Sequence, residues 1–217
     1  MILQVYYDFS APQKEIKAKA DIDGILKKLK KVSFGKLKKS YLEQTKSTTK
    51  KYKPMLQNGT YFKLHRSHFF KYIAGDVRIK NLMAKDDFYK SVLNNGDENY
   101  YWLIDEKVLY KLLELQQILE GKGFNSKAFH VRNGHRHPAY NERIGGASKS
   151  RHVKGEAIDI DIGDIDQNGQ ATQNDKQIIL DLLENQIIKS SGGIGRYPGT
   201  MSVHFDVRGH RARWESV

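Results

Sequence analysis

Apolar and polar positions alternate most strictly in two stretches of the chain. From Ala157 to Ile162 the isoleucines at 158, 160 and 162 fall on one side of an extended strand, and Asp159 and Asp161 fall on the other. From Ser202 to Gly209, Val203, Phe205 and Val207 share a face, which leaves Ser202, His204, Asp206 and Arg208 opposite them. Each stretch predicts a strand with one core face and one polar face. The helical period appears elsewhere. Val108, Leu112, Leu115 and Leu119 form a stripe that opens at an Asp105 N-cap and ends before Gly121 and Gly123. Ile178, Ile179, Leu182, Leu183 and Ile187 form another, running from about Asp175 to Ile188 and stopped by Gly192 and Gly193.

The first half of the chain is less regular. Ala11 to Lys31 reads as a basic amphipathic helix carrying Ile16, Ile22, Ile25, Leu26 and Leu29. Ser33 to Lys53 is dominated by Lys, Ser and Thr and reads as a linker or mobile loop. Tyr61 to Ile73 interleaves aromatics with Lys63, His65, Arg66 and Lys71, as a small basic-edged sheet would. Leu82 to Leu93 predicts a short helix closed by Asn94-Asn95-Gly96-Asp97. Ala128 to Arg132 predicts a strand. The fold class is α+β: a small antiparallel sheet flanked by helices, with residues 1–96 as a basic N-terminal region and 97–217 as the second domain.

If the two alternating strands are neighbours, Asp159 and His204 meet, and His152 on the loop leading into the first strand closes over them. Two imidazoles and a carboxylate match the three protein ligands of a catalytic zinc site, whose last position is left for water. The alternative is that each of these residues faces solvent on its own. A second acidic stretch, Asp164-Ile165-Asp166-Gln167-Asn168-Gly169 with Asp175 twelfth, matches part of a calcium loop. The same composition serves a tight polar turn, and Asp175 stands where such a loop has glutamate.

The order of motifs makes the zinc reading specific. Ser150-x-His152-x-x-Gly155-x-Ala157-x-Asp159 resembles the zinc-binding motif of the zinc D-Ala-D-Ala carboxypeptidase family, bacterial and phage metallopeptidases that cut peptidoglycan stem peptides. Asn133 to Asn141 with Gly145-Gly146-Ala147 resembles that family's upstream segment, with Asn133 in place of serine and His135 in place of tyrosine. Gly192 to Pro198, Val203 to Asp206 and Arg213-Trp214 resemble its closing segment, so the resemblance covers roughly residues 100–217. It implies Zn2+ on His152, Asp159 and His204, a substrate carboxylate held by Arg136, and contributions to substrate binding from Ser150 and Tyr197. The implied partner is peptidoglycan or its stem peptides, and the implied location is the cell envelope. For the proton carrier the family's usual residue before the last histidine is replaced by Met201 and Ser202. Asp206 is the candidate by strand face, with Glu156 and Asp161 as fallbacks. The alternative function is a non-catalytic, metal-containing envelope-binding protein.

The 217-residue chain carries a formal charge of +12, which adds attraction to polyanions without choosing among them. Nucleic acid rests on that charge and the Tyr61–Ile73 aromatics alone. Cysteine is absent, which excludes disulfides and thiolate metal sites. No apolar run reaches the ~20 residues of a membrane helix, and Met1 to Asp8 lack the basic start and long apolar core of a secretory signal.

Overall fold

A computed structural model describes residues 21–95 and 99–215. In chain order these form α1 (residues 21–28), β1 (Lys30–Ser33), α2 (Lys39–Gln44), α3 (Lys53–Leu56), β2 (Thr60–Leu64), β3 (Tyr72–Ala74), β4 (Val77–Arg78), α4 (Asp87–Asn95) and β5 (Tyr100–Leu103). There follow α5 (Glu106–Gly121), β6 (Phe129–Asn133), α6 (Pro138–Arg143), β7 (Ala157–Ile162), α7 (Gln173–Leu182), β8 (Gly193–Arg196), β9 (Ser202–Asp206) and β10 (Ala212–Glu215). Short 3₁₀ turns fill several connections, and one of them, Arg151–Lys154, leads into β7. Among the described residues no helix is long and apolar enough to cross a membrane.

The main sheet has the order β10-β8-β9-β7-β6, and its pairings are antiparallel except for β8 with β10. The register places Asp159 directly opposite His204, as expected for neighbouring strands. Ile158, Ile160, Val203 and Phe205 point the other way into a fully buried core shared with Leu109, Leu112, Ile179 and Leu183 of the helical segments. Burying each such side chain contributes roughly 1.5–3 kcal/mol, so the apolar face of the sheet holds its polar face in place.

The helices start where local chemistry satisfies their first N–H groups. Asp105 caps α5 by accepting from Lys107 N at 2.9 Å, as the sequence predicts. Thr172 and Asp175 form a reciprocal capping box on α7. The helix expected over Leu82–Leu93 begins later, because Asp86 accepts from Tyr89 N at 2.7 Å and so starts α4 at Asp87. Leu82 instead ends a 3₁₀ turn, and Met83 follows it in extended conformation with Ala84 next, all three buried beside Gly134 and His135, with His135 N bonded to Leu82 O at 2.8 Å.

The Lys-rich linker expected from Ser33 to Lys53 is an ordered part of the fold. Phe34, Leu37, Tyr41, Tyr52 and Leu56 are spaced widely among the lysines, yet all are buried in a second apolar cluster with Tyr61, Tyr101, Leu103 and Val153. A few large aromatics bury enough surface to order a chain whose average composition is polar. The expected division at residue 96 does not divide the core: β5 lies beyond it and pairs with β2 in the three-stranded sheet β1-β2-β5. Part of the expected Ala11–Lys31 helix, and the Gly96-Asp97 turn, lie outside the described residues.

His135, at the position where the family segment has tyrosine, is buried. Burial away from water, reinforced by the neighbouring His137, pushes its pKa down to about 3. The unfolded chain therefore binds this proton more readily than the folded one. The His135 contribution is full above the ordinary histidine pKa near 6.5 and is lost as pH falls from there towards 3. Replacing His135 with Leu should reduce the loss of stability between pH 7 and pH 4.5 by about 2–3 kcal/mol relative to the parent. Urea denaturation at the two pH values measures it, and parallel losses in parent and variant would contradict it.

Candidate metal centre

Three elements deliver the metal-ligand candidates. The 3₁₀ turn Arg151–Lys154 carries His152, β7 carries Asp159 and β9 carries His204. The turn ends at Gly155 with φ +69°, where a Cβ would sit 2.2 Å from Leu103 O. Only glycine tolerates both the left-handed backbone and that approach, so Gly155 fixes how the turn enters β7.

The three side chains are buried and converge on one point. His152 Nε2 lies 3.0 Å from Asp159 Oδ1 and 3.1 Å from His204 Nδ1, and His204 Nδ1 lies 2.8 Å from Asp159 Oδ1. The outer ring atoms decide what these inner atoms are. His152 Nδ1 is 2.7 Å from Gly134 O, a carbonyl that can only accept, so the ring proton sits on Nδ1. His204 Nε2 is 3.1 Å from Asp206 Oδ2, a second acceptor, and carries its proton there. In the neutral rings both inner nitrogens then present lone pairs, to each other and to a carboxylate oxygen. Three lone pairs meeting out of water repel unless a cation lies among them. A tetrahedral zinc ion with bonds of about 2.0–2.1 Å holds its ligand atoms roughly 3.3 Å apart, close to the observed triangle. The donor set fits zinc.

The titration directions of His152 and Asp159 agree with this arrangement. Burial lowers the pKa of His152 against the pull of Asp159, which favours the neutral ring that a metal requires. Asp159 is held well below the ordinary carboxylate range; desolvation opposes this, but the two histidines outweigh it. His204 is raised by its two carboxylate neighbours despite burial, so the metal-free ring favours its charged form and a metal would displace the inner proton.

A layer of partners holds the ligands. Arg136 Nη2 donates to Asp159 Oδ2, leaving Oδ1 for the convergence point. Asp206 is fully buried; it accepts from Gly193 N at 3.0 Å and Arg208 Nε at 2.8 Å, in addition to holding His204 Nε2. Gly193 has to be glycine, because a Cβ there would lie 2.3 Å from Asp206 Oδ2. Trp214 packs on the His204 ring with centroids 5.0 Å apart, and the Arg208 guanidinium lies 4.9 Å over the Trp214 ring. Nothing in the sequence patterning singled out Trp214 or Gly134 as supports, since each acts through a contact distant in the chain.

The site opens into a cavity of about 820 Å³ whose walls include Arg132, Arg136, Ser150, Tyr197, Arg208 and Trp214. Of the residues expected to touch substrate, Arg136, Ser150 and Tyr197 all lie on it. Asp206 does not, and its carboxylate sits on the outer nitrogen of His204, away from the convergence point. Glu156 is bound by Arg151 and Lys154 and does not line the cavity. Asp161 lies one step further along β7 and accepts from Ser202 Oγ at 2.5 Å and Arg132 Nε at 2.9 Å.

The acidic loop expected to hold calcium is closed on itself. Asp175 Oδ1 accepts from Ile165 N and Asp166 N, and its Oδ2 accepts from the backbone and hydroxyl of Thr172. Asp164 and Asp166 accept from the backbone of Asn168 and Gly169. Although Asp164, Asp166 and Asp175 lie close together, their oxygens are used in turn and cap bonds, and the calcium expectation gains no support.

Replacing His204 with Ala should remove most bound zinc, and Asp206→Asn should weaken zinc binding about 10–100-fold while the protein stays folded. Elemental analysis after dialysis against graded chelator checks both. Full zinc occupancy in His204→Ala would contradict the ligand set, and parent-like affinity in Asp206→Asn would contradict the orienting contact.

No curated protein and no solved structure matches the chain. The family model described as Peptidase M15 matches residues 104–206. This segment, which contains His152, Asp159 and His204, is similar to the zinc D-Ala-D-Ala carboxypeptidase-like M15 peptidases, in agreement with the resemblance carried by the sequence motifs.

Proposed function

We propose that the chain is a zinc-dependent peptidase that hydrolyses peptide bonds in peptidoglycan stem peptides or their cross-links. The observation that carries this reading is the buried triangle of His152, Asp159 and His204 at the floor of a cavity rich in arginine. When bound, zinc supplies a water of lowered pKa and polarises the scissile carbonyl. The remaining work falls to the chain.

His152 and His204 offer their inner nitrogens because Gly134 O and Asp206 fix the opposite ring atoms. Asp159 offers one oxygen because Arg136 holds the other. The Arg136 Nε is buried without a hydrogen-bond partner among the described residues, an arrangement that costs stability unless a ligand completes it. A substrate carboxylate supplies that acceptor, and the planar fork of guanidinium binds it bidentately. Tyr197 and Ser150 line the wall beside it. Stem peptides carry such carboxylates, which suits the cationic lining.

This geometry favours a different proton path. Asp206 orients His204 and is held ionised by His204 and Arg208, whose effect exceeds that of its burial. Asp161 is the carboxylate that the cavity reaches through one hydroxyl, since Ser202 lines the cavity and donates to it. Ser202 accepts a proton from the attacking water as it gives its own to Asp161, and the reverse transfer serves the leaving nitrogen.

Asp159 is the one carboxylate among the described residues lining the cavity, which favours a second reading, a metal-containing envelope-binding protein without turnover. Mass spectrometry of peptidoglycan incubated with the zinc-loaded protein separates the two. Released D-alanine or cleaved stem peptides are expected, and retention on peptidoglycan without fragments would favour the binder. Arg136→Lys should lower kcat/KM on a stem pentapeptide by at least tenfold, because an ammonium cannot form the fork. Asp161→Asn should lower kcat about 10²-fold with zinc retained. Unchanged kinetics in either variant would remove that residue from the mechanism.

A further inference from the structure

A second cavity, of about 630 Å³, adjoins the first and shares Ser148, Lys149 and Arg151 with it. Its opposite wall belongs to the N-terminal half of the chain, where Pro54 and Met55 of α3 and the flanking Lys51 and Asn58 form it. Helix α3 packs on the 3₁₀ turn that carries His152, so this wall is built directly onto the metal centre's support. The two cavities form one cleft. One end holds the three ligand candidates, and the other is closed by residues that precede the matched segment 104–206.

The outer end is cationic. Four basic side chains, Lys51, Lys149, Arg151 and Lys154, line it, and among the described residues no acidic side chain does. The nearest carboxylates are each shared by two cations: Glu156 by Arg151 and Lys154, and Glu142 by Lys46 and Lys51. Lys149 has no acidic partner among the described residues. Pro54 and Met55 contribute an apolar floor. Cations around an apolar floor suit an extended peptide with carboxylate side groups better than an inorganic polyanion, which has no apolar surface to bury.

We propose that this outer groove is an extension subsite that binds the distal, carboxylate-bearing part of a peptide substrate whose scissile bond lies at the metal centre. The N-terminal region is then part of the substrate-binding surface. The proposal rests on the peptidase reading for the position of the scissile bond, and its test reads binding so that the two can fail separately.

The test uses the zinc-loaded full chain and measures binding of a cross-linked stem-peptide dimer, the D-Ala-D-Ala dipeptide and polyphosphate by calorimetry. The variants are Lys51→Gln with Lys149→Gln, and Met55→Glu, which places a negative charge on the apolar floor without touching the lysines. A control pair, Lys71→Gln with Lys122→Gln, removes the same charge away from the groove. The dimer Kd should rise about tenfold in both groove variants, while the dipeptide Kd stays within twofold and the control matches the parent. Dimer binding within twofold of the parent in both groove variants, or an equal loss in the control, would overturn the proposal. Polyphosphate binding as tightly as the dimer, with the same loss in the variants, would overturn the peptide assignment in favour of a general polyanion surface. If the parent binds the dimer with the expected variant losses but never cleaves it, the groove stands and the peptidase reading falls.

Discussion

Three lone pairs aimed at one buried point are the constraint around which the structure is arranged. His152 Nε2, His204 Nδ1 and Asp159 Oδ1 lie within 3.1 Å of one another, and in the neutral rings the outer hydrogen bonds leave both inner nitrogens as acceptors. Without a cation that arrangement opposes folding. It persists because the strands that bear it are anchored from behind by Ile158, Ile160, Val203 and Phe205 in the core. Core burial on one face of the sheet thus stabilises strained polar chemistry on the other, and metal binding would return part of that cost.

The supports around the site come from distant parts of the chain and act on specific atoms. Gly134 O sets the tautomer of His152, Asp206 that of His204, and Arg136 chooses which oxygen of Asp159 is offered. Each support is fixed in turn: Asp206 by Gly193 N and Arg208, and the His152 turn by Gly155 and by α3. Helix α3 belongs to the lysine-rich first half, so that half is built into the metal site's foundation and into one wall of the cleft. Part of the net charge of +12 is concentrated there, with Arg132, Arg136 and Arg208 around the ligand candidates and Lys51, Lys149 and Lys154 further out.

Much of the site was legible in the sequence because strand alternation is a strong local signal. Period-two patterning in Ala157–Ile162 and Ser202–Asp206 put Asp159 and His204 on polar faces, and neighbouring strands made them meet. Helices α5 and α7 were equally readable from their stripes, and α5 from its Asp105 cap, whereas α6 had no such stripe and was not foreseen. What stayed hidden depended on contacts across the chain. Asp206 shares a strand face with His204, as the sequence indicates, but only the tertiary position of Gly193 and Arg208 shows its carboxylate turned to the outer ring nitrogen. The stretch from Ser33 to Lys53 reads as solvated because its average is polar. Tyr41 and Tyr52 order it through partners in β2 and β5 that no local window contains. Asp86 likewise delayed α4 by capping from a position that hydrophobic spacing ignores.

The central claim is that the triangle exists to hold zinc. X-ray absorption at the zinc edge of the loaded protein measures this directly. The account predicts a first shell of about four light atoms, nitrogen and oxygen at about 2.0–2.1 Å, with the outer-shell scattering of two imidazoles. A shell lacking imidazole scattering, or a site of six oxygens at longer distance, would contradict it.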